Sequence, residues 1–207
     1  MTAYDELAYF ASLLWDRHLA NTAGGNLSVR GPDQTCYITR SRNNRDQQWR
    51  VTEESILHVS LDGAILAGAG DISREFRVHL GLYQRFPAIG AVIHSHPQHA
   101  TAYAALARPL EPVLESSDKF GAIPCLSPQL KSLTEEYAEA ALAEFERERT
   151  RAETIGFGVL YPRHGVTVAG PTMVDAFDLM DRIEDNAVAA LWTGLLGGHA
   201  STPASAE

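Results

Sequence analysis

The sequence has few cysteines, fewer basic than acidic residues and no long uninterrupted apolar run. Cys36 and Cys125 are its only cysteines, so it indicates neither a disulfide framework nor a cysteine zinc site and is typical of a reducing compartment. No apolar stretch is long enough to span a bilayer. The N-terminal segment carries acids early and lacks the basic start of a secretion signal, so we expect a cytoplasmic protein without membrane contact.

The charge balance limits the kinds of partner. The formal net charge is -9, whereas a nucleic-acid or anionic-membrane surface needs a concentrated basic face. One loop departs from this acidic background, with Arg40, Arg42, Arg45 and Arg50, and such a loop is typical of an anion site or a subunit contact. We therefore expect a small-molecule partner and no nucleic acid.

Length and composition predict one folded domain over residues 1–207. Of these residues 45% are hydrophobic and 21% are charged, which is the balance of a globular protein, and a chain of this length buries most of its apolar surface. We find no repeat, linker or low-complexity insert that would divide it. The small polar residues at about 196–207 predict a flexible tail.

Hydrophobic periodicity predicts alternating helices and strands. Apolar residues at three- and four-residue steps indicate helices, and alternation of apolar and polar residues indicates strands. Helices are predicted at 4–18, 73–86, 99–106, 132–145 and 174–188. Strands are predicted at 27–30, 36–39, 56–61, 64–66, 88–96, 159–161 and 166–168, with an irregular stretch at 107–129.

A histidine pair on one predicted strand is the first candidate site. Side chains two residues apart lie on the same face of a strand, so His94 and His96 can both point at one ion. His164 lies in a predicted turn before Gly165, where the missing side chain allows close approach to a crowded centre. Three imidazoles leave a coordination position open for a substrate oxygen. Taken alone, each histidine is more typical of a structural residue, but together they predict a catalytic metal site.

Glu75 adds a carboxylate to this predicted site. It can ligate the ion or, once substrate displaces it, take a proton from the carbon or hydroxyl beside the polarised carbonyl. The alternative is a first-turn glutamate favoured by the helix dipole. His79, one helical turn later, is interpreted as a buried structural histidine, with support of the metal site as the alternative.

Five motifs together resemble those of the class II aldolase and adducin head family, over about residues 5–190. None is specific alone, whereas their order and the spacing between Glu75 and His94 are specific as a set. The motifs are Gly25-Asn26-Leu27-Ser28-Val29-Arg30, Ile38-Thr39-Arg40-Ser41, Ser73-Arg74-Glu75, Ala91-Val92-Ile93-His94-Ser95-His96 and Arg163-His164-Gly165-Val166.

The resemblance implies an α/β fold, with three α/β/α layers and a central, largely antiparallel sheet. It also implies a homotetramer with active sites at subunit contacts, and a bound Zn²⁺ or another divalent ion such as Mn²⁺, Co²⁺ or Fe²⁺. The residues that match the family's metal site are His94, His96, His164 and Glu75, the last as ligand or base. The residues that match the site for phosphorylated substrates are Asn26, Ser41 and Ser73.

Two anion-binding motifs depart from the family's aldolases, which commonly read Thr-Pro-Ser-Gly and Ser-Ser-Glu. This chain has Arg42 and Arg74 in these motifs, so guanidinium groups replace backbone donors. Arginine forks suit a phosphate and equally a carboxylate, which leaves both a sugar phosphate and a sugar acid open as substrates. Alternatively, these arginines point outward or pair with an acid across a subunit boundary.

The family's additional acid or base comes from the stretch after the helix that follows the histidine pair. Here this chain offers Glu115 and Asp118 and no tyrosine, which disfavours a direct copy of the tyrosine-using aldolase mechanism. The choice between the two carboxylates stays open, and one of them can be a structural cap.

The predicted function is that of a metal-dependent lyase, of aldolase or decarboxylase type, that cleaves a carbon-carbon bond in a small hydroxylated carbonyl compound. One alternative keeps the metal and dehydrates or epimerises a sugar phosphate. The other is a non-catalytic, adducin-like scaffold, which gives no reason for a complete metal site in the sequence.

Overall fold

The computed structural model describes residues 1–197, except for the side chain of Asn44. This part of the chain contains seven strands and eight α-helices. The strands are β1 (Asn26–Arg30), β2 (Thr35–Thr39), β3 (Ile56–Ser60), β4 (Ile65–Ala67), β5 (Ala91–Ser95), β6 (Phe157–Tyr161) and β7 (Gly165–Gly170). The helices are α1 (Ala3–Asp16), α2 (Asn43–Asp46), α3 (Phe76–Arg85), α4 (Ala100–Ala105), α5 (Glu115–Asp118), α6 (Glu135–Arg147), α7 (Arg149–Thr154) and α8 (Met173–Leu195).

The strands form one sheet in the order β4-β3-β2-β1-β5-β7-β6. Every hydrogen-bonded pair in it is antiparallel, which confirms the predicted largely antiparallel sheet. Strand β5 lies between β1 and β7, with His94 opposite Asn26 on one side and Thr167 on the other. Residues distant in sequence therefore meet at His94.

Helices cover both faces of the sheet, so the predicted three-layer arrangement is confirmed. Helices α1, α4 and α8 pack on the face that carries Leu27 and Ile93. Helices α3 and α6 pack on the opposite face, around Val92. Because strand side chains alternate between faces, His94 shares the face of Val92. His94 thus lies on the face of the sheet that packs against α3, the helix whose N-cap is Glu75.

Two helices begin later than predicted. Helix α3 has Glu75 as its N-cap, while Ser73, the first residue of the predicted range, accepts a hydrogen bond from the Glu75 N–H at 3.4 Å. Helix α6 begins after Thr134, whose hydroxyl accepts from the Tyr137 N–H at 3.2 Å. The helix cannot begin at Ser132, because Leu133 has a φ of 68° in the left-handed region.

Three short helices were not predicted, namely α2, α5 and α7. They have four to six residues, too few for a helical period to show, and α5 lies inside the stretch predicted as irregular. Of the predicted tail, residues 198–207 lie outside the described residues, and Leu196 is the C-cap of α8. Among residues 1–197, no helix is both long and apolar enough to cross a bilayer.

A buried hydrogen-bonded chain links α3 to β1. His79 Nδ1 lies 2.7 Å from Ser28 Oγ, which lies 2.7 Å from the Tyr83 hydroxyl. Burial lowers the pKa of His79 from 6.5 to about 3. The folded protein therefore keeps His79 neutral in mild acid, where the unfolded chain protonates it. These contacts support a structural role for His79.

We expect His79→Gln to reduce the loss of stability in mild acid. From pH 6.5 to pH 5, only the unfolded state gains a proton at His79, which destabilises the wild-type fold by about 2 kcal/mol. The variant lacks this contribution, so its free energy of unfolding falls by about 2 kcal/mol less over the same interval. Urea denaturation at the two pH values measures the difference, and equal pH dependence in both proteins would contradict a neutral His79.

Candidate functional site

Three imidazoles converge at one end of the sheet. His94 lies in β5, His96 follows one residue after that strand, and His164 lies in the turn between β6 and β7. Each imidazole offers one ring nitrogen as a ligand, and these three nitrogens lie within 4.8 Å of one another. The Nε2 atoms of His94 and His96 are 3.3 Å apart. The structure therefore brings together the three histidines that the sequence singles out.

The orientation of His94 is set by the neighbouring strand. Its Nδ1 lies 3.0 Å from the hydroxyl of Thr167, the residue opposite it on β7. Such a partner on one ring nitrogen fixes the imidazole and leaves the other nitrogen for a metal. Thr167 was not singled out from the sequence, because the register between β5 and β7 is a property of the sheet.

Burial keeps the three imidazoles neutral, which is the form that binds metal. Burial is the main cause that lowers the pKa of His96 to about 4 and the pKa of His94 well below its ordinary value, and the nearby His164 lowers both further. The pKa of His164 is also lowered, by burial and then by the positive charge of Arg74. At neutral pH each imidazole therefore has a nitrogen lone pair available for a metal, and none of the three has to lose a proton first.

Glu75 brings a carboxylate to the histidines. Its Oε1 lies 3.6 Å from His164 Nδ1, and both atoms are buried without a hydrogen-bond partner among the described residues. Burial raises the pKa of Glu75 to about 7, although the charge of Arg74 opposes the shift. Buried polar atoms without partners are costly. A divalent cation between them would satisfy both, so this donor set fits a metal.

Glycines close the wall of the site around His96. A Cβ on Gly24 would lie 2.3 Å from His96 Cε1, and a Cβ on Gly165 would lie 2.5 Å from His96 Cδ2. Both distances are shorter than any normal carbon contact, so side chains at these positions would displace the imidazole. The sequence indicated this role for Gly165, whereas Gly24 was identified only from the structure.

A cavity of about 590 Å³ opens in front of the histidines, a size typical of small-molecule sites. The five residues predicted to bind substrate all line it, together with Glu75, His94 and His164. These five are Asn26, Ser41, Arg42, Ser73 and Arg74. Asp71 and Leu133 also line the cavity, although no motif of the sequence indicates them. Arg45 lines it too, whereas the sequence indicates either an anion site or a subunit contact for this residue.

Glu115 and Asp118 lie elsewhere. Both are exposed on α5, which packs on α8. Within residues 1–197 of a single chain, neither is among the residues that line the cavity. The structure thus separates these two carboxylates from the metal-site residues of the same chain.

The sequence and the fold assign this arrangement to a known family. The profile of the family described as "Class II Aldolase and Adducin N-terminal domain" matches residues 5–191. The chain belongs to this family, which confirms the resemblance noted from its motifs. Class II aldolases are typically dependent on a divalent metal.

Individual relatives include an epimerase and aldolases. The chain is 31% identical over 161 residues to the L-ribulose-5-phosphate 4-epimerase UlaF of Salmonella paratyphi C, a match that covers 73% of this chain and 68% of that protein. A solved L-fuculose 1-phosphate aldolase superposes with a TM-score of 0.84 at 25% identity, covering 98% of this chain and 91% of that one. The L-fuculose-1-phosphate aldolase from Thermus thermophilus gives a TM-score of 0.77 at 29% identity, covering 98% of both chains. These matches confirm the class II aldolase fold.

Proposed function

We propose that this protein is a metal-dependent lyase that cleaves a carbon-carbon bond in a small hydroxylated carbonyl compound. The observation that carries the proposal is the convergence of His94, His96 and His164 within 4.8 Å of one another, with the buried Glu75 carboxylate 3.6 Å from His164, at the wall of a polar cavity. Membership of the class II aldolase family supports it. We further propose a cytoplasmic homotetramer.

The three imidazoles and Glu75 would hold the ion, which we propose to be Zn²⁺ or another divalent ion such as Mn²⁺, Co²⁺ or Fe²⁺. Imidazole and carboxylate ligands suit all of these metals. A bound ion would polarise the substrate carbonyl and stabilise the negative charge that develops on its oxygen. Three histidine ligands leave room for substrate oxygens, as catalysis requires.

Glu75 is proposed as the acid and base of the reaction. In the cleavage direction the hydroxyl that becomes the second carbonyl must lose its proton to a base, and the electron pair of the broken bond passes to the carbon beside the first carbonyl, which must then gain a proton. A carboxyl group whose pKa is raised by burial can give that proton near neutral pH and take it back in the reverse direction. Its N-cap position at α3 holds it at the wall of the cavity.

Arg42, Arg45 and Arg74 are proposed to bind an anionic group of the substrate. All three line the cavity, next to the hydroxyls of Ser41 and Ser73. Guanidinium groups bind phosphate and carboxylate through paired hydrogen bonds. This supports a sugar phosphate or a sugar acid as the substrate. The relatives described above, an epimerase and aldolases named for phosphorylated sugars, favour the phosphate.

Epimerisation or dehydration of a sugar phosphate is the second candidate, supported by the 31% identity to an epimerase. The exposed Glu115 or Asp118 would then assist, and in a homotetramer either one would have to act in the cavity of a neighbouring chain.

Incubation of the zinc-loaded protein with phosphorylated sugars and with sugar acids, followed by NMR of the products, distinguishes the candidates. Cleavage yields two fragments, whereas epimerisation and dehydration leave the carbon chain whole.

Charge reversal at Arg42 or Arg74 is expected to weaken substrate binding without removing the ion. Losing charge-assisted hydrogen bonds costs about 1.5–3 kcal/mol, so KM for an anionic substrate should rise by roughly 10- to 100-fold in Arg42→Glu and Arg74→Glu. Metal content, measured per chain by elemental analysis, should stay unchanged. As a control, Arg147→Glu changes an exposed arginine on α6 and should leave KM as it is. Unchanged KM in both cavity variants would contradict an anion site.

A further inference from the structure

Two loops that line the cavity lie outside the sheet, so strand pairing does not fix their separation. We call residues 21–25 the glycine turn and residues 41–50 the arginine loop. The glycine turn contributes Gly24 and Gly25 to the cavity wall, and the arginine loop contributes Arg42 and Arg45. The position of these two guanidinium groups depends on what holds the loop in place.

The side chain of Trp49 joins the two loops. It is 2% exposed, and its Nε1–H donates a hydrogen bond to the backbone carbonyl of Asn21 at 2.7 Å. Its ring packs on Gly25, where a Cβ would lie 2.6 Å from two atoms of the indole. Gly25 also has a φ of 115°, which favours glycine. The glycine turn therefore provides both the space and the acceptor for the indole.

The backbone of the arginine loop is strained. Arg42, Gln48 and Trp49 have φ values of 66°, 50° and 63°, in a region that residues other than glycine rarely adopt. Such conformations persist where surrounding contacts impose them, and they concentrate at functional sites. At the start of the loop, the Ser41 N–H donates to the Asp71 carbonyl at 2.9 Å. Near its end, the Ser55 hydroxyl donates to Gln47 Oε1 at 2.6 Å, and the buried indole of Trp49 packs on the glycine turn.

We propose that Trp49 is a positioning residue of the anion subsite: its indole anchors the arginine loop to the glycine turn, so that Arg42 and Arg45 line the cavity before an anion enters. The inference rests on the proposed function, which assigns anion binding to these arginines. The metal ligands are placed mainly by the sheet, since His94 and His96 follow from β5 and His164 from the β6–β7 turn, and only Gly24 of the glycine turn packs on one of them, His96. Loss of the indole contact should therefore affect anion binding much more than metal binding.

The test compares Trp49→Phe with the wild type as full-length, zinc-loaded proteins. Phenylalanine keeps an aromatic ring but removes the Nε1–H donor. We expect the Kd for inorganic phosphate, or for acetate as a carboxylate probe, to rise about tenfold by calorimetry, since one lost hydrogen bond is of that order. The Kd for zinc should change less than about threefold. Trp192→Phe is the matched control, because Trp192 is an exposed tryptophan on α8 and its replacement should change neither constant.

A double-substitution cycle with Arg42→Gln separates positioning from general stability. If Trp49 acts through the arginine loop, Trp49→Phe should weaken phosphate binding much less in the Arg42→Gln background than in the wild type. Equal phosphate affinity of wild type and Trp49→Phe overturns the inference about Trp49 alone. Parallel losses of phosphate and zinc affinity, or full additivity with Arg42→Gln, overturn it in favour of a general structural role. If the wild type binds neither probe, the proposed anion site itself fails, and the role of Trp49 with it.

Discussion

His94→Ala is expected to lose the divalent cation and to lower turnover by about a thousandfold or more. The side chain is almost fully buried, and its Nε2 lies 3.3 Å from that of His96, so alanine removes a central donor and no other described side chain replaces it. A metal that polarises a carbonyl contributes several kcal/mol to lowering the barrier, and each 1.36 kcal/mol is a factor of ten in rate. Elemental analysis per chain and turnover with added zinc measure both effects.

The control for this variant is a histidine outside the site. His18 is exposed and has a φ of 58°, a conformation that asparagine tolerates, so His18→Asn should keep both the metal and the activity. If His94→Ala instead retained full metal content and lost no function, the enzymatic proposal would fail. The non-catalytic, adducin-like alternative would then gain support.

Glu75→Gln is expected to lower kcat by about 10²- to 10⁴-fold, the usual contribution of a general acid or base. Glutamine keeps the shape and one oxygen ligand but cannot exchange the proton. Because the three imidazoles remain, metal content at saturating zinc should be unchanged. The matched control is Glu136→Gln, which makes the same change at an exposed glutamate in the first turn of α6, away from the site, and should leave kcat unchanged. A variant with full kcat would exclude Glu75 as the acid and base.

The same substitution should stabilise the metal-free protein at alkaline pH. Burial raises the pKa of Glu75 from 4.5 to about 7, so the folded state holds the proton more tightly than the unfolded state. The stability that this preference provides is present below pH 4.5 and is lost as the pH rises to about 7, a change of about 3 kcal/mol. Glu75→Gln removes the dependence. Urea denaturation with a chelator at pH 8 should therefore show that the variant is more stable than the wild type by up to about 3 kcal/mol. A less stable variant would contradict a buried Glu75 carboxyl with a raised pKa.

The sheet was predicted well because its strands carry a local signal. Short apolar runs between turn signals, some of them alternating with polar residues, located all seven strands, with errors mainly at their ends. The errors at helix starts have a different origin. Whether Ser132 or Thr134 caps α6 depends on the left-handed backbone of Leu133, and no residue pattern indicates that conformation. The short helices α2, α5 and α7 were missed because an amphipathic period needs more residues to become visible.

The sequence by itself determined the chemical groups of the site. The two-residue spacing of His94 and His96, the glycine after His164 and the motif around Glu75 are local features, and together they indicate candidate donors without reference to the fold. Only the tertiary structure decided what surrounds these donors. Thr167 meets His94 through the β5–β7 register, Gly24 closes on His96, and Trp49 anchors the arginine loop to Asn21, because each contact joins residues far apart in the chain. Such contacts depend on how strands and loops pack in three dimensions, and a pattern confined to neighbouring residues carries no information about them.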